Sequence, residues 1–219
     1  EPTPDAQKQR VEISLTEIAD GARFYAHVAN DAGVGALQQK LAAVCLHAPP
    51  PGFEPKVGMV CAARFTQDDE WYRAKVTKRC GNGEYEIFFI DYGNTDVVRT
   101  ERLRPLDPTL GVGSISAHAV ECRLAYLMVG EPSDGADGHE AAMALGAAAW
   151  GKAVLARVEE RQGATLLVTL FDPAQVVAMV VVVVVVVVVA AVVVSACLPC
   201  CAAQHQRATR RDRPRARAE

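Results

Sequence analysis

Histidine is sparse and scattered. His27, His47, His118, His139 and His205 stand at no spacing that the ligands of one metal ion require. The single Cys-x-x-Cys, Cys197 to Cys200, lacks the second pair of a structural zinc site. With Cys201 beside it, the cluster reads as incidental, palmitoylation being the alternative. Cys45, Cys61, Cys80 and Cys122 bring the cysteines to seven, an odd number without framework spacing. That excludes a small disulfide-stapled domain and points to a reducing compartment. An excess of positive charge is also missing: Lys and Arg number 23 against 26 Asp and Glu. Residues 204–219 hold six arginines and two acids; without them 17 basic and 24 acidic residues remain, a net of −7. A body of that sign binds polyanions poorly, because such affinity rests on phosphate neutralisation, and it suits an arginine-rich ligand better. The opening Glu-Pro-Thr-Pro-Asp is unlike a secretory leader and lacks an initiating Met, so the expectation is a piece of a longer protein.

One segment is anomalous in the other direction. Val176 to Val194 are 19 consecutive apolar residues, nearly all valine. At about 1.5 Å per residue a helix of that length nearly crosses a hydrocarbon core of about 30 Å, and the arginines that follow favour a cytosolic tail. A single-pass anchor is therefore the formal alternative. Near-pure valine is a poor helix former, however, and its monotony fits an expanded simple repeat or an erroneous gene model better.

The remaining sequence is mainly β with some α. Residues 1–10 form a polar linker. Val11, Ile13 and Leu15 alternate, as do Phe24, Ala26 and Val28 beyond the Ala19-Asp-Gly-Ala turn, which predicts two strands. Leu37, Leu41 and Val44 share one face of a predicted helix that the Pro49-Pro-Pro-Gly run stops. Four short strands follow between Val57 and Val98, with Asn82-Gly83 as a hairpin signal, and residues 55–106 are expected to close into a small barrel. A third block, 113–175, holds strand candidates near Ala117–Leu127, Ala153–Val158 and Ala164–Phe171 and an Ala-rich helix around His139–Trp150. Blocks 11–48 and 113–175 are each too small to bury a core alone. They are expected to be two halves of one domain interrupted by the barrel, with a valine-rich tract at 176–203 and a disordered Arg-rich tail at 204–219 after them.

Eight of the 13 aromatic residues fall between Phe53 and Tyr92, several at strand ends beside turns. Strand ends line the mouth of a barrel, where ring faces attract a cation at about 0.5–2 kcal/mol per contact. A methylated guanidinium suits such a hollow, since it keeps its charge while gaining apolar surface and losing donors. Core packing is the ordinary role of a lone aromatic, and Tyr72, Ala74 and Val76 alternate as a core-facing strand would, with Phe88 and Ile90 also expected in the core. Tyr92, Gly93 and Asn94 at a turn fit a site better. Asp91 suits either a loop brace or a ligand contact. Trp71, opposite to Tyr72 on its strand, is expected to pack between barrel and flank.

Glu70-Trp-Tyr-Arg-Ala-Lys-Val and Phe88-Phe-Ile-Asp-Tyr-Gly-Asn resemble the two signature segments of an extended Tudor domain. The flanks are similar to the split nuclease-like half-domains of the Tudor-SN (staphylococcal nuclease-like/Tudor) family, and the likeness covers about Val11 to Asp172. The resemblance implies a Tudor barrel inserted in a split OB-type staphylococcal-nuclease-like domain, partly incomplete where the likeness breaks off near Asp172. It implies a methylarginine cage of Phe65, Tyr72, Phe89, Tyr92 and Asn94. Phe89 stands where the family has tyrosine, which removes a hydroxyl, and the loop after Phe65 is one residue longer. The implied partners are dimethylarginine-containing tails of Argonaute-family or spliceosomal-type proteins, and the implied setting is a cytoplasmic and nuclear RNA-silencing effector. No cofactor is expected.

Hydrolysis of phosphodiesters needs converging carboxylates and arginines. Asp134, Asp137, His139, Glu140, Arg157, Glu159, Glu160 and Arg161 lie in a loop and along a charged strand end without such spacing, and read as a solvated surface. No catalytic constellation is expected in this chain. Lys75, Lys78, Arg79, Arg99, Arg102 and Arg104 read as charge alternation on exposed strands, with weak RNA contact as the alternative.

Overall fold

The computed structural model describes residues 10–29, 31–46, 52–127 and 136–171. The chain opens with β1 (Arg10–Ile18) and β2 (Arg23–Val28), followed by helix α1 (Ala32–Val44). Then come β3 (Val60–Arg64), β4 (Trp71–Gly81), β5 (Glu84–Phe89), β6 (Thr95–Arg99) and the short β7 (Leu103–Pro105). β8 (Val120–Leu124), helix α2 (Ala136–Ala149), β9 (Ala153–Gln162) and β10 (Thr165–Phe171) complete the described residues.

Strand pairing separates two bodies. β1, β2, β8, β10 and β9 hydrogen-bond in that order into a closed barrel, with β8 and β10 parallel and the other pairs antiparallel. β6, β5, β4, β3 and β7 form a second sheet whose strands all come from the segment between β2 and β8. The inserted arrangement implied by the Tudor-SN resemblance is thus present in the pairing, and the ring of the outer barrel closes through β1 and β9. The stretch from Asp172 on, where the half-domain is expected to be incomplete, with the valine tract, the Arg-rich tail and Cys197, Cys200 and Cys201, lies outside the described residues. Among the described residues no helix is long and apolar enough to cross a membrane.

Local chemistry explains the elements. Asp31 caps α1 by accepting the Gly33 N–H, satisfying a donor that a helix start leaves orphaned. At the β4–β5 hairpin Asn82 (φ 50°) and Gly83 (φ 76°) supply the two left-handed residues that match the twist of the strands. The outer barrel packs Phe24, Val154 and Leu170 against Leu145 of α2, and the inserted sheet curls round Ile87, Phe89 and Leu103, all at most 1% exposed.

Two expectations about faces need correction. Val44 is 48% exposed, whereas Cys45 is buried beside Leu37 and Leu41, because the buried stripe of α1 runs at i, i+4, i+8 onto the inserted sheet. Phe88 is not in the core of the inserted sheet. Ile87 and Phe89 point inward there, and Phe88 and Ile90 face the outer barrel, with Phe88 5.6 Å from the Tyr25 ring. Both faces of β5 are covered, so apolar alternation does not say which is which. Trp71 packs with α1 and Leu110 on the outside of the sheet, under the Arg104 guanidinium at 5.2 Å.

Candidate functional site

The β3–β4 and β5–β6 connections lie at the same end of the inserted sheet. Phe65 directly follows β3, Tyr72 is the second residue of β4, Phe89 ends β5, and Tyr92 and Asn94 form the turn into β6. Phe65 lies 6.3 Å from Tyr72 and 5.2 Å from Phe89; Tyr72 lies 5.7 Å from Phe89 and 5.1 Å from Tyr92. The interplanar angles are 84°, 78°, 80° and 83°. Rings packed edge to face in this way satisfy one another's quadrupoles while standing as walls, not as a stack. All four rings and Asn94 line one cavity of about 460 Å³.

The other walls escaped the sequence reading. Gln67, Asp68, Thr95 and Asp96 come from the inserted sheet; Thr16, Glu17 and Trp150 come from the outer barrel and the end of α2. Three of the lining residues are carboxylates and none is Lys, Arg or His. A bulge between Leu15 and Glu17 breaks the β1–β2 register, as bulges do where a side chain is re-aimed, and there the Thr16 hydroxyl donates to the Tyr92 carbonyl at 2.6 Å. The only local trace of these contacts was the hydroxyl and acid content of β1 and of the Thr66–Glu70 loop.

The turn bearing Tyr92 is held from both bodies. The Gly93 and Asn94 backbone closes on Phe89, and Gly93 has φ 91°. A Cβ on Gly93 would sit 2.1 Å from Cγ of Tyr25, so only glycine lets the outer barrel approach. The His27 ring lies edge-on to Tyr92 at 5.1 Å and contacts the Asp91 carbonyl through Nε2. Asp91 is a brace. It is 3% exposed, and its carboxylate accepts from Nε and Nη2 of the fully buried Arg73 at 2.9 and 2.7 Å and from the His118 N–H at 3.1 Å. Arg73 also donates to the carbonyls of Leu110, Ile115 and Ser116, which occupies all five of its N–H groups. Arg73 was hidden in the sequence because a charged residue on a strand ordinarily reads as exposed.

Burial pushes the phenols of Tyr72 and Tyr92 up, with hydrogen bonding to Asp68 adding to the effect at Tyr72 and the charge of Asp91 at Tyr92. Both rings are therefore neutral at physiological pH, and any cation is met by ring quadrupoles and not by phenolates. Glu17 is also pushed up, by burial.

Among the described residues the other candidate groups do not converge. Asp134 and the Asp137 side chain lie outside the described residues, His139 and Glu140 are on α2, Glu160 and Arg161 are near the end of β9, and Arg157 pairs with Glu159 at 2.7 Å. Among the described residues no three His, Cys, Asp or Glu gather as metal ligands. Four of the six strip residues are engaged: Arg79 with Glu54, Arg99 with Glu84, Arg102 with Asp69 and Arg104 on Trp71.

Comparison with known proteins agrees with this layout. The Tudor domain profile matches residues 6–126. The Arabidopsis thaliana protein Ribonuclease TUDOR 2 is 37% identical over 131 residues, covering 56% of this chain and 13% of that protein. The human TDRD1 extended Tudor domain, solved in complex with a symmetrically dimethylated peptide, superposes with a TM-score of 0.72 at 26% identity, covering 81% of this chain and 88% of that one. The extended Tudor domain of Drosophila melanogaster Tudor-SN gives a TM-score of 0.66 at 28% identity, covering 78% and 79%. A Tudor barrel carried between the two halves of a second barrel, with rings gathered at one rim, places this chain in the Tudor-domain family as an extended Tudor domain of the Tudor-SN type.

Proposed function

We propose that the chain is a binding module for symmetrically dimethylated arginine in Arg/Gly-rich protein tails, with Phe65, Tyr72, Phe89 and Tyr92 enclosing the methylated guanidinium and Asn94 taking an N–H. The carrying observation is the set of four rings joined by four edge-to-face contacts, three of them through Tyr72, around a cavity that has three carboxylates and no basic side chain. Ring faces contribute about 0.5–1 kcal/mol each to holding a cation at a partly exposed site. Each methyl removed from water adds about 0.8 kcal/mol, so two methyls give roughly a tenfold preference over unmodified arginine. The peptide carried by the human relative supports this reading, as does the resemblance on which Argonaute-family or spliceosomal-type tails are the partners and an RNA-regulatory protein of the cytoplasm and nucleus is the setting. Phe89, 1% exposed, forms the closed floor of the cage beneath the other three rings and offers no hydroxyl, which lowers affinity relative to a tyrosine there.

Isothermal titration with Arg-Gly peptides in unmodified, symmetric and asymmetric dimethyl forms tests the reading. The expected order has the symmetric form tightest, with binding lost in Tyr92→Ala. Equal affinity for all three forms refutes it. Single-stranded RNA titrated against the same variant separates the two ligand classes, since loss of the cage leaves an RNA contact intact.

A further inference from the structure

The Tyr72 hydroxyl donates to Oδ2 of Asp68 at 2.7 Å, and a longer contact of 3.3 Å comes from Nε2 of Gln38 on α1. Three ring neighbours touch the body of Tyr72 edge-on, so the hydroxyl is its polar anchor. Asp68 is itself held. Its Oδ1 accepts the Glu70 N–H at 2.9 Å, and the loop carrying it is tied down on both sides. On one side the Thr66 N–H and hydroxyl donate to Oδ2 of Asp96 at 3.2 and 2.8 Å. On the other, Arg102 donates to the Phe65 carbonyl at 2.6 Å and pairs with Asp69, which occupies a left-handed conformation at φ 61°.

We propose that Asp68 is a positioning residue of the cage, fixing Tyr72 through its hydroxyl so that the ring faces the cavity before any ligand arrives. A ring ordered in advance loses less freedom on binding, and affinity rises without a new ligand contact. The affinity part of the inference rests on the methylarginine reading; the ring geometry part does not.

The test is a double-mutant cycle on the whole chain, with a symmetrically dimethylated Arg-Gly peptide as probe and ring-to-ring NOEs from Tyr72 to Phe89 and Tyr92 measured in the free protein. Asp68→Ala is expected to weaken binding about tenfold and reduce those NOEs. Asp68→Asn, which keeps an acceptor, stays within about threefold of the parent and retains them. Tyr72→Phe keeps the ring but removes the donor, and in that background Asp68→Ala adds less than about twofold, the signature of two groups acting through one bond. A full further loss in the Tyr72→Phe background overturns the proposal, because Asp68 then acts on the ligand directly. Unchanged NOEs in Asp68→Ala also overturn it. If the parent chain shows no preference for methylated peptide, the functional reading fails and the NOEs alone decide the positioning role.

Discussion

Asp91→Ala strikes the most deeply buried charge pair among the described residues. Arg73 is 0% exposed and spends two of its five donors on the Asp91 carboxylate; the other three go to carbonyls of Leu110, Ile115 and Ser116 in the segment leading back to the outer barrel. Removing the carboxylate leaves a guanidinium without a counter-charge in a low-dielectric interior and orphans the His118 N–H as well. Breaking a buried pair from one side costs about 3–5 kcal/mol, against a whole-domain stability of about 5–15 kcal/mol. A double variant, Arg73→Met with Asp91→Leu, removes both charges and is expected to recover part of that loss, leaving the three carbonyls short of donors and the His118 N–H short of an acceptor. Urea unfolding followed by tryptophan fluorescence reads both variants, with the slope m kept under watch so that a midpoint change is a stability change. A loss below about 1 kcal/mol for Asp91→Ala at unchanged m would show that water reaches Arg73 and would refute the clamp.

Three further outcomes follow from the geometry. Gly93→Ala combines a left-handed φ of 91° with a Cβ 2.1 Å from the Tyr25 ring, so it is expected to cost at least about 1–3 kcal/mol and to loosen the Tyr92 turn; unchanged thermal unfolding and peptide affinity contradict this. Burial pushes the Cys61 and Cys122 thiols to about 12, while Cys80 is exposed; peptide mapping after brief alkylation at about pH 8 should find Cys80 modified and the other two intact, and early labelling of Cys61 argues against the packed sheet. The hydrogen bond from His118, and then that from the Gly33 N–H, hold the Asp31 carboxyl below the usual carboxylate range. A lowered folded-state value means stabilisation that is present above about pH 4 and lost as pH falls through the lowered value. Asp31→Asn keeps the helix cap and removes the charge, so its urea midpoint should trail the parent at about pH 6 and converge with it near about pH 2.5; a gap that persists at the acid end contradicts the linkage.

Features carried by short-range pattern were legible. Asn82-Gly83 announced its hairpin, the alternation of β1 and β2 announced theirs, and the clustering of rings at strand ends marked the region of the cavity, while the four rings that meet there were named by the family resemblance. Long-range partners were not. Thr16 reaches Tyr92 across 76 residues through a bulge that no periodicity encodes, and Arg73 meets Ser116 across 43. Asp68 sits in a polar loop where an acid needs no explanation until its bond to Tyr72 is seen. The face taken by Phe88 emerged only once both faces of β5 were seen to be covered, and Trp150 and Glu17 joined the site only because the outer barrel folds over its rim.

The pairing of β2 with β8 joins Ala26 to Val120, so the outer barrel cannot zip up until most of the chain has left the ribosome. Until then the β1–β2 hairpin travels with an unsatisfied edge, an invitation to adhere to other nascent chains. The intervening strands have nearer partners and lower closure entropy, so they are expected to settle first and shorten the effective tether between the two ends of the host. The insert is thus expected to act as a splint for its host. Refolding experiments should show the Tyr92 rim forming ahead of the β1–β9 seam, and a lesion in the insert should slow the host's closure while leaving the host's own residues untouched.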